Sequence, residues 1–152
     1  MTNPLTAARQ ALLARLQSIS PDNGYLTGAG ANVKSGWVNE ILQERHHSFP
    51  LIVVQPDKST RQPEAMGGGD ITIPMAFNVV GAVQVGIDYE QAIDDLTLDL
   101  ARCLLSQDLG PLSWGSPGMH SVAIAAPEIF PPGDGLAVAT VLVRVEFSIL
   151  TD

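Results

Sequence analysis

The chain has 152 residues, enough for one domain with a substantial core and too few for two. With 45% hydrophobic and 16% charged residues it is too apolar and too weakly charged for a disordered polypeptide. A formal charge of −8, from 16 acidic and 8 basic residues, argues against a protein that grips nucleic acid or an anionic membrane, because both depend on clustered Lys and Arg.

Leu5, Ala8, Leu12, Leu16 and Ile19 recur at steps of three and four and predict a first helix, with Asn3 as N-cap and Pro4 in the first turn. "SPDNG", Ser20 to Gly24, ends it. Glycines interrupt the next stretch, where a short strand is expected near Val33 and a short helix across Asn39 to Glu44. The β-branched run "LIVVQ", Leu51 to Gln55, predicts a buried strand between two prolines. The segment from Pro56 to Asp70 is polar and rich in Gly and Pro, and reads as one long exposed loop. From Ile71 to Val85 the odd positions are apolar, as a long strand with one buried face requires; Pro74 places that strand at an edge or at a bend. A second helix is expected from Tyr89 to about Gln107, capped by Asp88 with Gln91 as its reciprocal partner. Ala92, Ile93, Leu96, Leu100 and Leu104 form its inner face, with Asp94, Asp95, Asp99 and Arg102 outside. A short strand over Ser121 to Ala126 lies between two Gly/Pro-rich loops, and "LAVATVLVRVEFSIL" closes the chain as a second long strand, with Arg144, Glu146 and Ser148 on its polar side. These elements describe a single α+β domain over residues 1–152: a mixed, mostly antiparallel sheet with two main helices packed on one face.

Motifs of chemistry are sparse. "GAGANVKS", Gly28 to Ser35, imitates a phosphate-binding loop, but Val33 stands where the glycine beside the lysine belongs, and neither a buried strand before it nor a long helix after it is indicated. His46 and His47 are sequence neighbours, which point in different directions, and His120 is the one other histidine, so no metal site is expected. "WGSPG" lacks the spacing of a nucleophile elbow, which leaves Ser116 as a turn residue. Cys103, set among Leu100, Ala101, Leu104 and Leu105, reads as a buried thiol in a reducing compartment. No catalytic, cofactor-binding or metal-binding residue is expected. The beginning of the chain lacks the apolar core of a secretory signal, and no window supplies about 18 uncharged apolar residues, so a cytoplasmically made, soluble protein is expected.

The unusual side chains lie in loops: Trp37, Arg45, Trp114, and Lys58, Arg61, Glu64 and Asp70 of the long polar segment. Such loops, together with long strands that outrun a small core, point to assembly, and these seven residues are the candidate contacts. The order of elements, with "GYLTGAGANVKSGW", "PLIVVQPD", "YEQAIDDLTLDLARCLL" and the terminal "VRVEFSIL", resembles the tail terminator proteins of long-tailed bacteriophages from about Leu5 to Leu150. The resemblance implies a non-enzymatic virion tail protein, put together in the host cytoplasm as a homohexameric ring on the head-proximal end of the tail tube. It implies tube protein and a head-completion or neck protein as partners, and DNA passing through the lumen without specific binding. It implies no cofactor and no membrane. Another component of the neck, or a small ligand-binding domain or enzyme using a cleft near Trp37 and Trp114, is the alternative.

Overall fold

The computed structural model describes residues 3–43, 48–106, 112–132 and 137–151. Helix α1 (Pro4–Gln17) starts as its sequence dictates: Asn3 Oδ1 accepts the Leu5 N–H at 2.8 Å, Pro4 opens the first turn, and Ala8, Leu12 and Leu16 are buried. Two short 3₁₀ turns, Pro21–Asn23 and Ala29–Asn32, lead into strand β1 (Val33–Ser35) and helix α2 (Val38–Gln43). Strand β2 (Leu51–Asp57) then pairs parallel to β1, Ile52 opposite Val33.

The expected loop over 56–70 is organised at both ends. Pro56 and Asp57 extend β2, and strand β3 (Glu64–Gly67) folds back on strand β4 (Asp70–Gln84) through a turn at Gly68 and Gly69. All of β3 is exposed, so it needs no alternation of apolar residues, and its sequence therefore carries no period of two. Helix α3 (Tyr89–Leu105), strands β5 (Met119–Ile124) and β6 (Glu128–Phe130), and strand β7 (Val138–Thr151) complete the fold. Asp88 sits at the N-cap position of α3, but its side chain makes no capping bond, which corrects the expected capping box.

Among the described residues the sheet has seven strands in the order β1-β2-β4-β7-β5, with β3 also on β4 and β6 also on β7. Its spine is the antiparallel pair β4–β7, in register from Ile71 opposite Thr151 to Gln84 opposite Val138. At 3.2–3.4 Å per residue this ribbon is about 50 Å long. Strand β4 is thus central rather than at an edge. Pro74 is accommodated because it falls in the break between β3, whose pairing reaches Thr72, and β2, whose pairing begins at Ala76.

The two faces are covered differently. Phe77, Val79 and Val83 of β4 and Val141, Val143, Val145, Phe147 and Ile149 of β7 point to one side, where α1 and α3 pack on them. A Cβ on Gly81 would stand 2.7 Å from Leu96 Cδ2 and 3.1 Å from Val141 Cγ1, so the glycine lets α3 sit against the sheet. On the opposite face Ile41 of α2 packs with Leu51, Val53 and Ala82. Sequence patterning anticipated a sheet covered on one side; the parallel β1–α2–β2 crossover instead lays a short helix on the other side, over one end of the sheet.

Candidate functional site

Beyond α2 this second face is polar, and β7 organises it. Glu146 faces the segment that follows β2: Ser59 Oγ donates to Glu146 Oε1 at 2.5 Å, the Thr60 N–H donates to the same oxygen at 3.2 Å, and Thr60 Oγ1 reaches both oxygens at 3.2 and 3.3 Å. Arg61 Nε stands 3.6 Å from Oε1 and Arg144 Nη2 3.5 Å from Oε2. Arg144 also pairs with Asp57 and donates to the Lys58 carbonyl at 2.7 Å. These bonds strap residues 57–61 across the sheet. The hydrogen bond from Ser59, helped by those from Thr60 and by Arg144 and opposed by partial burial, holds the Glu146 carboxyl below the usual carboxylate range.

Beside the strap lies an open cleft of about 510 Å³, bounded by Arg61, Gln62 and Glu64 on one side and by His120 and Ser121 of β5 on the other. Thr72 and Ser148 also line it, and Met66 of β3 contributes an apolar wall. Thr72 Oγ1 is buried without a hydrogen-bond partner among the described residues. A register shift in β5 between His120 and Ala123, with Ser121 at φ +56°, marks a bulge at the rim, and the Ser121 carbonyl accepts from Arg61 Nη2 at 3.5 Å.

Of the candidate contact residues, the structure gathers Lys58, Arg61 and Glu64 on the strap and cleft, with Asp70 at the start of β4 beyond the β3 turn. Trp37 is exposed ahead of α2. Trp114 is on the other side of the sheet, edge-on to Phe147 at 6.3 Å, with Nε1 buried and without a hydrogen-bond partner among the described residues. A cleft shared by Trp37 and Trp114 therefore has no basis in the fold. Arg45, like His46 and His47, lies outside the described residues. Gly28 to Ser35 forms no phosphate cradle: it is a 3₁₀ turn running into β1, and Gly30 donates to the Ile19 carbonyl at 2.9 Å. A Cβ at Gly30 would lie 2.5 Å from the carbonyl oxygens of both Gln17 and Ile19, so this glycine serves a close backbone approach at the end of α1.

Asp99, expected on the solvated side of α3, is fully buried. Its two oxygens accept the N–H groups of Leu26 at 3.0 Å and Thr27 at 2.7 Å, tying the segment after α1 to α3. Leu96 three residues before it and Cys103 four residues after it are both buried, a helical spacing that sets Asp99 on the inner stripe. The Cys103 thiol donates to the Arg15 carbonyl at 3.1 Å, and burial pushes its pKa above the ordinary thiol range, the opposite of what a nucleophile needs. Arg15 in turn donates to the carbonyls of Cys103 at 2.9 Å and Ser106 at 3.0 Å, neutralising the end of α3. Among the described residues no group of three or more His, Cys, Asp or Glu side chains could hold a metal ion, and no helix is long and apolar enough to cross a membrane. Arg144, Glu146, Thr72 and His120 had no assigned role in the sequence; the signal there was a charged pair two residues apart on a long strand, which a polar face alone does not require.

No family model and no curated protein matches the chain. One similar solved structure shares 14% identity over 93% of this chain and 94% of the other, with a TM-score of 0.47. A likeness that low carries no argument about function.

Proposed function

We propose that the protein is a structural subunit of a phage tail, a terminator that sits as a hexameric ring on the head-proximal end of the tail tube, stops its growth and offers a surface to the head. The observation that carries this reading is the β4–β7 ribbon, which displays apolar side chains at both ends. Met66, Ile71 and Leu150, exposed at 58%, 41% and 45%, gather at one end, and Ile87 is fully exposed at the other. Exposed large apolar groups at the tips of a sheet are surface for contact with other chains. The element order of the whole chain supports the same reading. The function needs no bond to be made or broken: one face of the ring complements the last ring of tube protein, and the opposite face lacks the tube's own stacking surface. A net charge of −8 suits a ring through which DNA slides without sticking.

The test is direct. Disabling the gene gives overlong or headless tails, and purified protein added to purified uncapped tails binds one end and blocks further addition of tube subunits. Tails of normal length from the disabled gene would end the proposal. A neck component would bind the portal side instead of the tube, and the same mixing experiment separates the two.

A further inference from the structure

Helix α3 buries one stripe against the sheet and turns another to solvent. The solvent stripe runs Gln91, Asp94, Leu98, Arg102 and Leu105, all exposed, at the steps of three and four that keep residues in line along one side of a helix. Two of the five are leucines, Leu98 at 43% and Leu105 at 57%, and Leu26, on the segment that Asp99 ties to α3, is exposed at 53%. The outer side of an amphipathic helix is ordinarily polar, and leucines gathered there are surface for another chain. The charges on the stripe are ordered as well. Asp94 and Arg102 stand four residues before and four after Leu98, about 12 Å apart along the axis at 1.5 Å per residue, too far to pair with each other. Neither side chain has a hydrogen bond or an ion pair among the described residues. An acid early and a base late in a helix suit its macrodipole, which accounts for the signs but not for the leucine midway between them.

We infer that the α3 stripes of two copies pack antiparallel about a two-fold axis through Leu98. Asp94 of each copy then meets Arg102 of the other, so a single pair of residues makes two ion pairs, with Leu98 packed on Leu98 between them. The other opposed positions bring no like charges together: Gln91 faces Leu105, Asp95 faces Ala101 and Glu90 faces Ser106. A parallel arrangement would set Asp94 on Asp94 and Arg102 on Arg102, which is why the stripe selects the antiparallel one. An open hollow of about 440 Å³ beside Arg102 and Leu105, lined also by Gly24 and Tyr25, takes the Gln91 turn of the second copy. The contact closes on itself, uses the outer surface of the helix layer and leaves the second face of the sheet uncovered, so it goes beyond the ring reading and does not rest on it.

Sedimentation equilibrium of the wild-type chain is expected to show a monomer–dimer equilibrium with a dissociation constant below about 1 mM. Asp94→Arg or Arg102→Asp alone turns both ion pairs into like-charge contacts and weakens the dimer at least about tenfold, whereas the double variant returns to within about threefold of wild type. A local effect of either substitution on its own helix would not be repaired by the other. Leu98→Cys places two thiols at the axis and is expected to form a disulfide-linked dimer under mild oxidation at least about tenfold faster than Gln91→Cys, whose two copies lie about 20 Å apart along the helices; the native Cys103 is buried and does not compete. A chain that stays monomeric at about 1 mM overturns the inference. So does a dimer that ignores the single reversals or is not restored by the double one, or a Leu98→Cys cross-link no faster than that of Gln91→Cys. Binding to tails tests the proposed function and leaves this contact untouched.

Discussion

Asp99 is the residue on which the region between α1 and β1 depends most. A buried carboxylate is costly unless each oxygen is satisfied, and here both oxygens accept backbone N–H groups from Leu26 and Thr27. Asp99→Ala leaves those two donors without their acceptor and is expected to cost about 3 kcal/mol, read as a lowered urea midpoint at unchanged m-value. Asp94→Ala, on the exposed side of the same helix, is expected to stay within about 0.5 kcal/mol of wild type. Equal effects for the two would contradict the role given to Asp99. Trp114 makes the complementary point. Its ring is committed to Phe147, so its size serves the core beneath the sheet, and its value to a partner is small.

Strand β7 does two jobs, one on each face. Its apolar positions bury against α1 and α3, while Glu146 and Arg144 fasten the 57–61 strap on the other side. Glu146 binds its partners as a carboxylate, so its folded-state pKa lies below the usual carboxylate range. Its contribution is therefore present at pH values above that range and is lost as pH falls through the folded-state value. With its side chain 14% exposed, the group is screened only in part. The facing groups that share the charge are Arg61, Arg144 and Asp57. Amide exchange of residues 59–61, taken relative to the intrinsic rate at each pH, is expected to quicken on acidification in wild-type protein. In Glu146→Ala it should be fast already at neutral pH, together with a loss of about 2 kcal/mol of stability. An exchange rate that ignores both pH and the substitution would show that the strap is held by something else.

For the molecule as a whole, the sign of the charge matters more than any one pair. Eight basic residues are spread over the chain, and on the strap face two of them, Arg61 and Arg144, contact carboxylates. Among the described residues of this face, the two arginines are therefore not free to line a groove for a phosphate backbone. A mobility-shift assay with duplex DNA at physiological salt is accordingly expected to give no complex at micromolar protein, and a salt-sensitive shift would count against the proposed ring through which DNA slides without sticking. The ribbon β4–β7 adds the second molecular property, a span of about 50 Å with exposed apolar side chains at both ends.

Local pattern alone determined the two main helices, the two long strands and β2, since a period of 3.6 or 2 is imprinted wherever one face of an element is buried. It also ruled out the phosphate loop at Gly28–Ser35, through the valine before Lys34. Only the tertiary structure decided where Asp99 points, because the partners that justify burying its charge lie 72 and 73 residues away along the chain. The same holds for the strap, whose bonds to β7 span 86 and 87 residues, and for β3 and β6, exposed strands with no apolar alternation to announce them. Patterning records which side of an element avoids water; which polar groups then meet is a matter of how distant segments are laid over one another.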